Sequence, residues 1–151
     1  MMTPDNTAIT YLDKNTTWKE LDDRSRAFGA ALHRRGVQFG DRVLMALLNR
    51  TEYIEAILGA TLIGAIPVPV NIRMSPAEVA YLVTDSGAKV VVTETLLAPI
   101  ADAVAGSAAD APGVDLEDVV SFHVEEEPGE EVTTCTCGSE TEGISSWRMV
   151  V

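Results

Sequence analysis

Cys135-Thr136-Cys137 places two thiols one residue apart, and these are the only cysteines in the chain. A structural zinc site wants a wider Cys–Cys spacing and a second pair of ligands. The sequence supplies no such pair, because its two histidines, His33 and His123, each stand alone. Two incidental cysteines are the favoured reading. His123, in Ser121-Phe122-His123-Val124, has the chemistry of a general base, but no nucleophile or orienting acid accompanies it. A structural strand histidine is favoured. His33 beside Arg34 and Arg35 could hold an anion; cations in the last turn of a helix explain it more simply. Asp22-Asp23 could be a carboxylate pair, and a first-turn acidic cluster facing the helix dipole accounts for it without chemistry. Tyr53, Ile57, Leu58 and Leu62 could line an apolar pocket, yet an apolar stripe at this spacing is ordinarily core. Gly138-Ser139-Glu140-Thr141-Glu142-Gly143 has the small and hydroxyl residues of a phosphate loop. It lacks a lysine, and its two glutamates would repel phosphate.

The elements that would position these residues alternate. Ala8 to Leu12 reads as a short strand. Thr17-Trp18-Lys19-Glu20 is a capping box, in which the Thr hydroxyl and the Glu carboxylate satisfy free N–H groups at a helix start. Leu21, Phe28, Ala31 and Leu32 recur at helical spacing, and Arg34-Arg35-Gly36 is a stop signal. Arg42 to Leu48 predicts a strand. Thr51 is expected to cap a second helix whose apolar stripe is Tyr53, Ile54, Ile57, Leu58 and Leu62. Ala65 to Val70 predicts the next strand, placed at an edge or ending its pairing at Pro69, which has no N–H to donate. Ser75-Pro76-Ala77-Glu78 is a second capping box with Pro at the first helical position. Ala88 to Thr93 suits a strand buried on both faces. Leu96 to Ala105 predicts a helix, Gly106 to Gly113 a loop, and Val119 to Val124 a last strand. Strand and helix in turn, joined by short connections, predict an α/β fold: a mostly parallel sheet with helices on its faces.

Composition limits the partners. The 151 residues suit one domain with a substantial core. The net charge is −12, and half of it falls in the last fifth of the chain. Residues 121–151 hold 7 acidic and 1 basic side chains, against 16 and 10 in residues 1–120. An acidic surface disfavours nucleic acid and anionic membrane. Two cysteines do not make a disulfide scaffold, and no secretory signal opens the sequence. The longest uncharged run, Ala56 to Ile72, is shorter than the roughly 20 residues of a spanning helix, and Pro67 and Pro69 interrupt it. A soluble cytoplasmic protein is expected. Residues 125–151, beginning Glu125-Glu126-Glu127-Pro128-Gly129, are expected to be an acidic disordered tail after a domain spanning 1–124.

Several segments, taken in order, resemble the adenylate-forming (AMP-binding) acyl-CoA synthetases. Thr17-Trp18-Lys19-Glu20-Leu21 is similar to that family's first core motif, with Trp in place of the usual Tyr. Gly36-Val37-Gln38-Phe39-Gly40-Asp41-Arg42-Val43 resembles its Gly-Val-x-x-Gly-Asp-x-Val element. Asn49 through Asn71, with Ile63-Gly64-Ala65-Ile66-Pro67-Val68-Pro69-Val70 at its end, resembles its second motif. Ser75 through Thr93 is similar to the helix and strand that follow. The resemblance covers roughly residues 8–124.

It implies the N-terminal α/β subdomain of an enzyme that activates a carboxylic acid, a fatty acid by expectation, with ATP and passes the acyl group to coenzyme A. ATP, Mg²⁺ and CoA are cofactors of the full-length family. In that family the early motifs are structural, and the chemistry lies in later ones. These are a Ser/Thr/Gly-rich loop with a lysine for ATP, a Thr-Glu pair for Mg²⁺, an Asp for the ribose, and a lysine on a small C-terminal domain. None occurs in this sequence, so no catalytic, cofactor-binding or metal residue is assigned to it. The expectation is a truncated synthetase, inactive alone, whose partner is the missing remainder. The alternative is a non-catalytic module that docks a partner chain through an exposed apolar face. From Thr133 onward the residues fit no synthetase element, and a frameshift or interrupted gene is expected to account for them.

Overall fold

The computed structural model describes residues 3–97, 99–100, 104, 118–123 and 148–150. Strands β1 (Thr7–Tyr11) and β2 (Lys14–Thr17) form an antiparallel hairpin. Only the first of these was legible, because the turn carries no Gly or Asn. Leu12 itself takes the left-handed conformation, with φ 52°. The hairpin delivers Thr17 to the start of helix α1 (Trp18–Arg34). The capping box there is complete: Thr17 Oγ1 accepts from Glu20 N at 3.2 Å, and Thr17 N donates to Glu20 Oε2 at 2.8 Å. Two more helix-start donors find carbonyls of the segment that precedes β1, Trp18 N to Asn6 O and Lys19 N to Pro4 O.

Strand β3 (Arg42–Ala46), helix α2 (Thr51–Leu62), strand β4 (Ile66–Pro69), helix α3 (Pro76–Ser86) and strand β5 (Ala88–Glu94) then alternate as expected. After a single 3-10 turn at Thr95–Leu97 come β6 (Asp118–His123) and β7 (Arg148–Val150). The sheet order is β4-β3-β5-β6-β7. The first four strands are parallel, and β7 pairs antiparallel with β6. The α/β architecture with a mostly parallel sheet is therefore what forms.

Each face of the sheet has its own core. Val43, Met45, Val90 and Val92 meet Phe28 and Leu32 of α1 and Ala56 and Ala60 of α2. Leu44, Ala46 and Val91 point the other way, onto Val79 and Val83 of α3 and onto Ile100 and Val104. Consecutive valines of β5 are thus buried in opposite cores, as expected of a strand covered on both faces. Each such side chain contributes about 1.5–3 kcal/mol by leaving water.

Three expectations change. Arg50, not Thr51, is the N-cap of α2, and it makes no side-chain cap bond; Thr51 is already helical. The buried face of α2 is Glu55, Ala56, Gly59 and Ala60. Ile54, Leu58 and Leu62 are exposed, and only Tyr53 and Ile57 of the expected stripe pack on the core. The helix presents its small residues inward because α1 approaches too closely for large ones. Arg148–Val150, within the stretch expected to be a disordered tail, forms β7 against Ser121–His123. A short Arg-Met-Val run is enough to extend the sheet by one strand. The rest of that stretch, the loop at Gly106 to Gly113 and half of the helix expected over Leu96 to Ala105 lie outside the described residues. Residues 99, 100 and 104 of that helix are helical.

Candidate functional site

In an open parallel sheet, ligands bind outside the carboxyl ends of the strands, where the strand order reverses. Here the chain runs from β3 outward to β4, then returns across β3 to β5. The reversal lies between β3 and β5, so Ala46 to Arg50 and Glu94 border the crevice.

A carboxylate of the chain itself, that of Glu94, stands at this point. Glu94 ends β5 and is 4% exposed. Its Oε1 accepts from Leu48 N at 2.6 Å, and its Oε2 lies 3.6 Å from Arg50 Nε. The link joins residues 46 apart and ties the end of β5 to the connection between β3 and α2. A backbone N–H group and a guanidinium together make an anion site. Glu94 is the anion that occupies it. These residues do not fit a nucleotide phosphate, because a second anion here would meet a buried carboxylate. The neighbouring Thr93 is fully buried on the opposite face, and its Oγ1 has no hydrogen-bond partner among the described residues.

A second charged link joins the helices. Arg24 of α1 lies 2.7 Å from Glu55 and 3.7 Å from Glu52 of α2. The Glu55 side chain is completely buried. The short approach to Arg24 Nε is off the N–H direction, which makes it an ion pair and not an aligned hydrogen bond. For a buried pair the cost of taking the charges out of water offsets their stronger attraction, so the pair is a poor guide to net stability. This one orients two helices.

The residues singled out for chemistry do not converge. His33 is exposed in the last turn of α1. His123 ends β6, in register with Arg148 of β7. Asp22 and Asp23 sit past the first turn, each in an exposed i,i+4 pair, with Arg26 and Lys19 respectively. The hydrogen bond from Arg26 holds the Asp22 carboxyl below its usual range, so a local ion pair accounts for this residue. Cys135, Cys137 and Gly138 to Gly143 lie outside the described residues. Among the described residues no three His, Cys, Asp or Glu side chains group as metal ligands. Sequence reasoning missed Glu94 and Arg24. The available signal was a glutamate placed at the end of an otherwise apolar strand.

The fold and these links can be set beside known proteins. The family model described as AMP-binding enzyme matches residues 1–143. The chain belongs to the AMP-binding enzyme family. A 3-hydroxybenzoate–CoA/4-hydroxybenzoate–CoA ligase of Thauera aromatica is 32% identical over 110 residues, covering 73% of this chain and 21% of the ligase. A long-chain-fatty-acid–CoA ligase of Mycobacterium tuberculosis is 34% identical over 101 residues, covering 67% of the chain and 20% of its own. Among solved structures, an anthranilate CoA ligase in complex with anthranoyl-AMP superposes with TM-score 0.71 at 27% identity. The match covers 79% of this chain and 22% of that one. The chain therefore spans about one fifth of the length of the relatives it matches. The early motifs fall on α1, the β3 approach, and α2 through β4, which is the N-terminal portion of these ligases. No helix of the described residues is long and apolar enough to cross a membrane.

Proposed function

We propose that this chain is the N-terminal scaffold of an AMP-forming acid–CoA ligase and that it carries neither half-reaction by itself. In the full-length relatives, a carboxylate oxygen displaces pyrophosphate from ATP, and a thiol then displaces AMP from the acyl-adenylate. The observation that carries the reading is the Glu94 link. Between the carboxyl ends of β3 and β5, where the strand order of the described residues reverses, the chain holds its own carboxylate. The unit is built to keep β3, α2 and β5 in fixed relation, and it assigns no catalytic, nucleotide-binding or metal residue. The substrate of the whole enzyme is a carboxylic acid, fatty or aromatic, since relatives of both kinds match at similar identity. A cytoplasmic setting suits its ATP and CoA. The test is ATP–pyrophosphate exchange with benzoate, hydroxybenzoate and fatty acids. The purified chain is expected to give no turnover above background, and clear exchange with any of these acids would overturn the reading.

The exposed stripe of α2 favours a second, compatible role. Ile54, Leu58 and Leu62 recur at helical spacing on the outer face of the helix. We propose that the stripe docks the remainder of a ligase. Size-exclusion chromatography of this chain mixed with a separately made C-terminal portion tests it. Co-elution lost in Leu58→Asp is expected; co-elution that survives that change would remove the stripe from the interface.

A further inference from the structure

The outer edge of β4 lacks hydrogen-bond donors, and the order of its two prolines is the cause. Ile66 N donates to Asp41 O at 2.8 Å, and Val70 N donates to Met45 O at 3.0 Å. Backbone groups alternate in direction along a strand, so residues 66, 68 and 70 face β3. The register agrees, with Ile66 opposite Arg42 and Val68 opposite Leu44. Residues 67 and 69 therefore turn their backbone outward, and both are proline. Every inward position keeps its N–H, and both outward positions lack one. Had the prolines fallen one residue earlier or later, they would have removed ladder bonds to β3 and weakened the sheet.

We infer that Pro67 and Pro69 insulate this sheet against strand addition by a second copy of the chain. A β ladder needs donors and acceptors from both strands, and this edge offers only the two outward carbonyls. The edge needs such protection. Ile66 is 49% exposed beside it, and Phe39, 88% exposed, lies against Gly64 just before the strand. An apolar strand with a regular open edge is a template for pairing with another chain. Protection by proline leaves the side chains free to be apolar, whereas protection by charge would not.

The experiment compares the full chain with Pro67→Val, Pro69→Val and the double variant by sedimentation velocity over a range of concentrations. Hydrogen exchange at residues 66–70 is followed in parallel. Valine fits a strand and restores one outward N–H at each position. The double variant is expected to self-associate at concentrations where the unchanged chain does not, with the new amides at 67 and 69 slowed in exchange as it does so. Each single variant should associate more weakly than the double. A double variant with native circular dichroism that associates no more than the unchanged chain would overturn the inference. So would association that leaves the amides at 67 and 69 exchanging at the free rate, because the contact would then lie elsewhere. If the double variant loses native circular dichroism, Pro69→Val decides alone by the same two readings, since its site is the more exposed.

Discussion

Gly29 of α1 and Gly59 of α2 meet backbone to backbone. A Cβ on Gly29 would lie 2.6 Å from the Gly59 carbonyl oxygen. One on Gly59 would lie 2.5 Å from Ser25 O and 2.9 Å from a Phe28 ring carbon. Neither carbonyl can swing aside as a flexible side chain would.

Gly59→Ala puts two effects in opposition. Alanine in a helix interior ordinarily gains about 1 kcal/mol over glycine. Forcing an extra methyl into a packed contact costs about 1–3 kcal/mol, here towards the top of the range because backbone must move. The net expectation is a loss of roughly 1–2 kcal/mol by urea unfolding. A stabilised Gly59→Ala would show that the helices can separate without penalty.

Glu94→Ala removes the acceptor for Leu48 N and the anion beside Arg50. A hydrogen bond to a charged group carries about 1.5–3 kcal/mol, and a loss of that order is expected. Glu94→Gln keeps an acceptor oxygen and should lose less. Hydrogen exchange at the Leu48 amide separates the link from general loosening: it should quicken in Glu94→Ala well beyond the amides of β3.

Gly64 is constrained twice, by φ 76° and by the Phe39 ring 2.3 Å from where its Cβ would be. Gly64→Ala should therefore cost about 1–2 kcal/mol for the left-handed backbone, with the clash added. In Gly64→Ala/Phe39→Ala the clash goes and the backbone cost stays. A double-mutant cycle by thermal unfolding should show positive coupling between the two sites. Strict additivity would mean that the ring does not rest on Gly64.

The two capping boxes set an acid limit. Hydrogen bonds from Thr17 hold Glu20 below its usual 4.5, and those from Ser75 do the same for Glu78. Carboxylates depressed in the folded state contribute stability that is complete above 4.5 and is lost as pH falls through the folded value. Stability should thus decline below about pH 4.5, and Glu20→Gln/Glu78→Gln should flatten that decline. An unchanged acid limb in the double variant would place the titration elsewhere.

Local signals were the readable ones. Thr17 with Glu20, Ser75 with Glu78, Gly36, and Pro76 each act within a few residues of themselves, so each boundary could be read where it stands. The inward face of α2 could not, because Ala56, Gly59 and Ala60 are buried by the nearness of α1, and hydrophobicity alone points to Ile54, Leu58 and Leu62. The β2 strand escaped notice because Leu12 does what glycine usually does. Glu94 was invisible as a link because its partners, Leu48 and Arg50, lie across a helix, a strand and another helix. As for chemistry, the sequence offered scattered candidates, and the structure keeps those it describes apart.

The strand order also has a consequence in time. β4 takes its place beside β3 after a single crossover helix, but β5, on the other side of β3, comes only after α3. As the ribosome delivers the chain, β3 holds one bare flank until Glu94 has emerged. The innermost strand pair is the last of the first three strands to close, and the same residue that completes it bolts the connection after β3 into place.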